Sequence, residues 1–512
     1  MSLSKLNTPL PDQFPRSSGV LMSVTSLPAP YGIGDIGLGA RDFIDKLASA
    51  KQRYWQVLPL CPTGYADSPY QGLSSFAGNT NLISLDDLVA NDWLTAAELA
   101  NHTPFDPELV DYGTVISWHE TQLQLAYKRF EAEPVNGKHH LAFEAWCADN
   151  SGWLDDFALF IALKEHYNLV PWTQWATAEA MRVPKALDAA RHALGGRIAE
   201  HRFRQWLFFW QWMALKQYAN DKGVRMIGDI PIFVGHDSCD VWVNRELFDL
   251  NDDGSPRFIA GVPPDSFSKT GQRWGNPLYL WDKHQATGYT WWIKRVDAAL
   301  GMFDLVRIDH FRGFDLYWQI PASDDTAVNG LWLPGPGRAL FDAFGAARVS
   351  RIIAEDLGND LGGAIDLRDD LNLPGMIVLQ FAFSGTETER KRFDPKNPAS
   401  NFIVYTGTHD NSTTVGWWAN TTPAERKVVA SFTNSYEIQE PNWLLIRLGM
   451  SYKAHTFIVP MQDLLGLDDR ARMNKPSVTG GNWSWRCTRE QLDSPLWDRL
   501  RAMTEQCNRA SQ

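Results

Sequence analysis

The chain has 512 residues, 44% hydrophobic and 21% charged, with a net charge of -12 from 60 acidic and 48 basic side chains. That supplies a large core, whether as one barrel with insertions or as two or three units, and the absence of any Lys/Arg-rich block argues against nucleic acid or an anionic membrane as partner. Five widely separated cysteines (Cys61, Cys147, Cys239, Cys487, Cys507) fit a reducing compartment and exclude a disulfide framework or thiolate zinc site, and with no apolar leader over Met1 to Gly19 and no apolar run of roughly 18 residues a cytoplasmic location is expected.

Short β-branched or aromatic runs bounded by turn residues predict eight strands, separated largely by helical patterns. Val20–Val24 comes first, followed by Gly32–Gly39, which lacks both the Gly-Lys-Ser/Thr ending and the dinucleotide glycine spacing and is read as a flexible loop before helix Ala40–Gln52. Tyr54–Leu58 is the second strand. A long, mainly helical stretch follows, with Trp118–Phe130, His140–Asp149, Trp153–Tyr167 and then Phe203–Asn220, whose apolar positions recur at three and four and which Asp221-Lys222-Gly223 stops. The third strand, Arg225–Ile230, leads into Gly235–Asp282, rich in Asp, Gly and Pro and read as loops over a cleft mouth. Helix Tyr289–Leu300, strand Asp304–Ile308, a Gly/Pro-punctuated excursion over Pro321–Gly337 and helix Gly337–Val349 come next, then strands Arg351–Ala354, Met376–Phe381, Ile403–Tyr405 and Thr456–Val459.

Alternating strands and helices imply a mostly parallel sheet, and eight strands close a barrel. The expected fold is α/β, a (β/α)8 TIM barrel with inserted, mainly helical and loop subdomains and no C-terminal β-sandwich domain. Its parts are barrel over 18–60, a mainly helical insertion over 61–200, barrel over 201–234, a lid and loop region over 235–282, barrel over 283–320, a short insertion over 321–337 and the rest of the barrel over 338–500.

Three acidic motifs sit at or just past strand ends, where such sheets keep their chemistry: Val306-Arg307-Ile308-Asp309-His310, Ala354-Glu355-Asp356-Leu357-Gly358 and Thr408-His409-Asp410-Asn411. The strand period points Arg307 and Asp309 the same way, which suits an oriented carboxylate nucleophile; a structural ion pair is the plainer reading. Glu355 follows an apolar run, where desolvation raises a carboxyl toward general-acid use; the alternative is a helix cap by Glu355 or Asp356. Asp410 repeats the theme, against a capping cluster with Asn411 to Thr414. Three coincidences at three strand ends weaken the structural alternative for the set. His310 and His409 lack an HxxxH or Cys pair, so donation to a substrate hydroxyl or plain packing is expected and no metal; no G-x-S-x-G elbow supports a serine hydrolase. Tryptophan is abundant, 23 residues. Most of these rings, as in Trp206 to Trp212, belong to the core, whereas Trp274 lies in the turn-rich Gln272-Arg273-Trp274-Gly275-Asn276-Pro277, where a flat ring beside amides suits a sugar face.

The strings Pro62-Thr63-Gly64-Tyr65-Ala66-Asp67-Ser68-Pro69-Tyr70, Pro263-Pro264-Asp265-Ser266-Phe267-Ser268, Gly271 to Pro277, Arg307 to Gly313, Glu355 to Gly358 and Thr408 to Asn411 together resemble the amylomaltases. These are the disproportionating 4-α-glucanotransferases of glycoside hydrolase family 77, and the likeness runs from about Ser18 to Arg486. The resemblance implies a retaining transfer of α-1,4-glucan segments between malto-oligosaccharides through a covalent glucosyl-enzyme, by two carboxylates about 5–5.5 Å apart. It makes Asp309 the nucleophile, Glu355 the acid/base and Asp410 the group on the 2- and 3-hydroxyls at subsite -1. Arg307, His310 and His409 match other groups of that subsite, and Tyr70 its stacking platform. Asp265 and Phe267 match a mobile loop on the acceptor side, with Trp274 nearby; Tyr65 matches a second glucan-binding region, and Ser68 is counted with the substrate-binding residues. Gly72, Thr80 and Ser477 stand where other residues are usual, none of them catalytic. No cofactor or metal is implied, because bond energy is conserved in transfer. The expected partners are malto-oligosaccharides and linear α-1,4-glucan, with the protein a monomer or homodimer in the cytoplasm, or in the plastid stroma for a mature plant-type chain. α-Amylases share the order Arg-x-Asp, Glu and His-Asp, so the alternative is an α-glucan hydrolase with transglycosylation as a side reaction; the apolar lid of Pro263, Pro264, Phe267 and Trp274 favours transfer by excluding water.

Overall fold

Twelve β-strands appear in the computed structural model, which describes residues 14–102, 104–264, 268–358, 361–394, 400–433, 438–476, 478 and 480–510. In chain order they are β1 (Ser17–Leu21), β2 (Tyr54–Gln56), β3 (Arg225–Pro231), β4 (Phe258–Val262), β5 (Gln272–Pro277), β6 (Leu305–Asp309), β7 (Leu316–Pro321), β8 (Leu331–Pro334), β9 (Ile352–Ala354), β10 (Gly375–Val378), β11 (Phe402–Tyr405) and β12 (Thr456–Pro460). Eight of them pair in parallel in the order β10-β11-β12-β1-β2-β3-β6-β9. Strands β9 and β10 approach at the seam, where the Ala354 N–H donates to the Pro374 carbonyl at 3.0 Å, so the sheet is nearly closed on itself. A parallel sheet covered on both faces must be apolar throughout, and β1, β2, β9, β10 and β12 are buried at every residue.

The helical stretch between β2 and β3 includes helices Tyr112–Glu131, Lys138–His166 and Gly195–Asp221. Lys138–His166 runs unbroken where two helices were expected, because the Asn150 amide donates to the Trp146 carbonyl at 2.8 Å and the Trp153 ring N–H to Asn150 at 3.2 Å. These contacts join neighbours on the helix surface straight through Ser151-Gly152. Helix Gly195–Asp221 stops at Lys222 and Gly223, the latter at φ +80°, as its sequence predicts. Trp206, Phe208 and Trp212 of this helix are buried, but Trp210 is 40% exposed.

Several expectations are corrected. Gly235–Asp282 and Pro321–Gly337 are not only loops: β4 and β5 from the first pair antiparallel with β7 and β8 around the second, giving one four-stranded sheet in the order β5-β4-β7-β8. Neither excursion signals the whole sheet alone, since the pairing of β4 with β7 that unites the two halves joins segments far apart in sequence. The run Met376–Phe381 leaves the strand at Val378 and turns helical over Leu379–Ser384, where burial of Leu379, Gln380, Ala382 and Phe383 follows helical spacing. Helix Gly337–Val349 is broken at Gly345, at φ +76°. The Gly32–Gly39 loop is packed rather than flexible: the Gly34 N–H donates to Thr25 at 2.8 Å and the Gly37 N–H to the buried Asp35 carboxylate at 2.8 Å.

The segment after the last helix is tied to the barrel's base by a fully buried guanidinium. Arg509 donates to the main-chain carbonyls of Met450 (2.7 Å), Ser17 (2.9 Å) and Tyr452 (2.9 Å). Arg16 also donates to the Met450 and Tyr452 carbonyls, so Arg509→Ala removes one of two guanidinium donors at each, together with the donor to Ser17, and should lower unfolding stability by about 3 kcal/mol. Urea denaturation measures it; a loss under about 0.5 kcal/mol, the range of ordinary surface changes, would show that the latch is dispensable.

Candidate active site

Strand β6 delivers Arg307 and Asp309 on one side, as its period of two requires. The buried Arg307 guanidinium donates to Asp309 Oδ1 at 2.7 Å and to Asp229 Oδ2 at 2.6 Å, and Asp229 stands directly across from Arg307 on β3. The Tyr70 hydroxyl donates to the same Asp229 oxygen at 2.8 Å. The structural ion pair is therefore real, yet the Asp309 side chain stays 30% exposed and lines the cleft. Burial pushes the Asp229 carboxyl above its usual range while Arg307 opposes it.

Glu355 follows β9. Its Oε2 accepts the His310 N–H at 2.7 Å and its Oε1 the Leu357 N–H at 2.8 Å. His310 sits in the left-handed region at φ +54°, a conformation uncommon for residues other than glycine, and the turn it makes aims that N–H at Glu355. Burial first, then the nearby Asp309 carboxylate, raises the Glu355 carboxyl to about 7, against the opposing pull of Arg307. Among the described residues the next helix begins at Ala364, so the capping alternative fails for Glu355. It fails for Asp356 too, whose buried carboxylate pairs with Arg368 and Arg392 and accepts the Met376 N–H at 2.8 Å.

Asp410 lies on the loop after β11. Its Oδ1 accepts from the Asn474 amide at 2.6 Å and its Oδ2 faces His409 Nε2 at 3.3 Å. Burial raises its pKa, but His409, the Asn474 hydrogen bond and Arg307 outweigh that and hold it down to about 2. The helix cap is Thr413, which accepts the Gly416 N–H at 3.1 Å, so Asp410 is not part of it. His409 stacks on Tyr70 with ring centres 5.1 Å apart and planes at 16°, and Trp483 leans on both at 5.7 and 5.9 Å. Burial lowers the His409 pKa and Asp410 more than restores it, raising it above the usual value.

These groups line one cleft with two lobes that share Gln272, Trp274, Asp309 and Asp410. The larger lobe, about 1830 Å³, is walled by Val262, Pro263, Pro264, His310, Arg312, Glu355 and Phe381; the other, about 1310 Å³, by Ser68, Tyr70, Phe233, His409, Asn474 and Trp483. Trp274 meets His310 edge-on at 4.9 Å. Among the expected site residues, the structure thus brings together Ser68, Tyr70, Trp274, Arg307, Asp309, His310, Glu355, His409 and Asp410. Asp265 and Phe267 lie outside the described residues, as do Ser477 and the side chain of Tyr65. Gly72 has a local reason: a β-carbon there would meet Cys61 Sγ at 2.3 Å. Sequence reasoning missed Asp229, whose signal is a lone acid inside an apolar strand, and Asn474, Arg472 and Trp483, which carry no comparable signal. Among the described residues no group of three or more His, Cys, Asp or Glu could hold a metal ion, and no helix is long and apolar enough to cross a membrane.

The model of glycoside hydrolase family 77, described as 4-alpha-glucanotransferase, matches residues 22–492. The chain belongs to this family. It is 46% identical over 509 residues to a 4-alpha-glucanotransferase of Thermus thermophilus, covering 97% of this chain and 100% of that one. A chloroplastic/amyloplastic 4-alpha-glucanotransferase of Solanum tuberosum is 41% identical over 476 residues, covering 92% and 82%. The amylomaltase from Streptococcus agalactiae, solved in complex with acarbose, superposes with a TM-score of 0.92 at 38% identity, covering 97% of this chain and 100% of that one. The family fold is accordingly that of the nearly closed eight-stranded barrel described above.

The environment of Glu355 predicts a stability signature. A folded-state pKa near 7, above the ordinary 4.5, means a stabilising contribution complete below about 4.5 and lost as pH rises through about 7. At pH 8 Glu355→Gln should therefore melt above the parent protein, and at pH 4.5 it should not. Thermal unfolding at the two pH values decides; equal midpoints at pH 8 would refute a desolvated, repelled Glu355.

Proposed function

We propose that the protein transfers α-1,4-glucan segments between malto-oligosaccharides by a retaining double displacement. The observation that carries this is the pairing, in one cleft, of a carboxyl that keeps its proton near neutrality, Glu355, with a carboxylate oriented by a buried guanidinium, Asp309. Glu355 protonates the glycosidic oxygen while Asp309 attacks the anomeric carbon, forming a glucosyl-enzyme; the leaving glucan departs with the proton. The 4-hydroxyl of a second glucan then enters, Glu355 takes its proton, and the α-1,4 bond forms as Asp309 leaves. Asp410 accepts from the 2- and 3-hydroxyls of the sugar at the reacting centre, and Tyr70, backed by His409 and Trp483, supports the ring face. Arg307, His310, Trp274 and Ser68 complete the grip.

The two lobes meeting at Asp309 and Asp410 fit a donor chain on one side and an acceptor on the other. Proline and aromatic walls on the Glu355 side, Pro263, Pro264, Trp274 and Phe381, favour a sugar acceptor over water, so hydrolysis is the lesser course.

Purified protein given maltotriose should yield glucose and a ladder of longer α-1,4 chains at nearly constant total reducing ends. Steady growth in reducing ends would mark a hydrolase instead. Asp309→Asn and Glu355→Gln should each lower turnover by about 10²–10⁴-fold or more, and Glu355→Gln retaining over a tenth would remove it as the acid. Turnover should also fall as pH rises past about 7, as Glu355 loses its proton; a plateau to pH 9 would contradict the assignment. Asp410→Asn should fold, still bind oligosaccharide and transfer very slowly, because bonds to the 2- and 3-hydroxyls tighten as the ring flattens. Near-native turnover in that variant would reduce Asp410 to a structural role.

A further inference from the structure

Asp410 projects from a short turn that its own residues only partly fix: Asn411 Oδ1 accepts the Thr408 N–H at 2.8 Å, and the Asp410 N–H donates to Thr408 Oγ1 at 3.3 Å. The rest of its restraint comes from the segment beyond β12. There Arg472 donates to the Asp410 carbonyl, to Ser412 Oγ at 3.2 Å and to the Asn474 carbonyl at 2.7 Å. Asn474 in turn donates its main-chain N–H to the His409 carbonyl at 3.0 Å and its side-chain amide to Asp410 Oδ1 at 2.6 Å. One residue thus grips both the backbone and the carboxylate of the His409-Asp410 pair, and it lines the same lobe of the cleft.

We propose that Asn474 is a positioning residue for glucan transfer, setting the orientation of the Asp410 carboxylate through its side-chain amide while Arg472 pins the turn that carries it. The inference rests on the assignment of Asp410 to the sugar hydroxyls. A carboxylate offers about four lone-pair sites. Asn474 occupies one on Oδ1 and His409 approaches one on Oδ2, which fixes the plane and leaves the remaining pairs for two vicinal hydroxyls. A neutral donor is well suited here, because it orients without cancelling the negative charge that strengthens those bonds in the transition state. Other charged groups around Asp410 are Arg472 and Lys475 from the segment after β12, Arg307 and Asp309 from β6, and Glu355 and Tyr70 across the cleft.

The test is a double-mutant cycle on maltotriose disproportionation with Asn474→Ala, Asp410→Asn and the combination, with Asn474→Asp as an isosteric companion should the alanine variant fold poorly. Asn474→Ala should lower kcat by about 10- to 100-fold, the factor carried by one charge-assisted hydrogen bond, with KM within about threefold. In the Asp410→Asn background the same change should cost less than about threefold, because the carboxylate it orients is gone. Asn474→Asp sets two carboxyls against each other and should shift the acid limb of kcat upward by at least about one pH unit, because the group it contacts must be ionised for turnover. Unchanged turnover in Asn474→Ala, equal losses in both backgrounds, or an unmoved acid limb would each overturn the proposal. A parent protein that does not disproportionate maltotriose would instead overturn the transferase reading.

Discussion

Everything in the cleft is arranged around a cation almost wholly withdrawn from water. The Arg307 guanidinium lies inside the barrel between Asp229 and Asp309, and burial, which works against its charge, is more than offset by those two carboxyls with help from Tyr70 and Glu355. Removing a buried charge from its partners is costly, so Arg307, Asp229 and Asp309 stand or fall as a unit. Its rigid fork fixes two oxygens at once, on adjacent strands, at 2.6 and 2.7 Å. This lets one oxygen of Asp309 be held while the side chain remains open to the cleft. Arg307 touches Asp309 directly but reaches Glu355 only at a distance, where burial and Asp309 outweigh it and raise the Glu355 carboxyl.

Outward from that cation the site is built in layers. Tyr70, bonded to Asp229, supports His409 face to face; His409 faces Asp410; Trp483 closes over both rings. Trp483 has a left-handed backbone, φ +64°, strained for so bulky a residue, and its carbonyl accepts the Tyr112 hydroxyl at 3.0 Å. Helix Tyr112–Glu131, well outside the barrel, thereby fixes a ring beside Tyr70 and His409. On the opposite wall the antiparallel sheet is clamped in the same fashion: Arg312, just past β6, lies 3.5 Å over the Trp332 ring of β8. The insertions are thus tied to the barrel loops, one by the Tyr112 hydrogen bond and the other by the Arg312–Trp332 contact.

Much of the barrel was legible because each of its strands had to be apolar on both faces, and such runs stand out between turn residues. Met376–Phe381 misled for the same reason: an apolar run buried on all sides reads alike as strand or helix, and only packing divided it at Val378. β4, β5, β7 and β8 were hidden because a half-exposed sheet rich in Gly and Pro carries little periodic signal, and the β4–β7 pairing at its centre joins segments distant in sequence. In the site, Asp309, Glu355 and Asp410 announced themselves as acids at strand ends. Asp229 was visible only as an oddity, a carboxylate in an apolar strand, and Asn474 not at all, since an amide in a loop means nothing until its neighbour is known.

What the sequence alone determined was therefore local: eight apolar runs with acids at three of their ends, helices with their stops, and motif strings long enough to point to a family. Those properties follow from covalent order, because period, capping and turn chemistry act over a few residues. Tertiary structure decided how differently Glu355 and Asp410 hold a proton. A pKa depends on burial and on charges within a few ångströms, and the groups that set those here, burial and Asp309 for Glu355, His409 and Asn474 for Asp410, meet only when strands and loops tens or hundreds of residues apart close around one cavity.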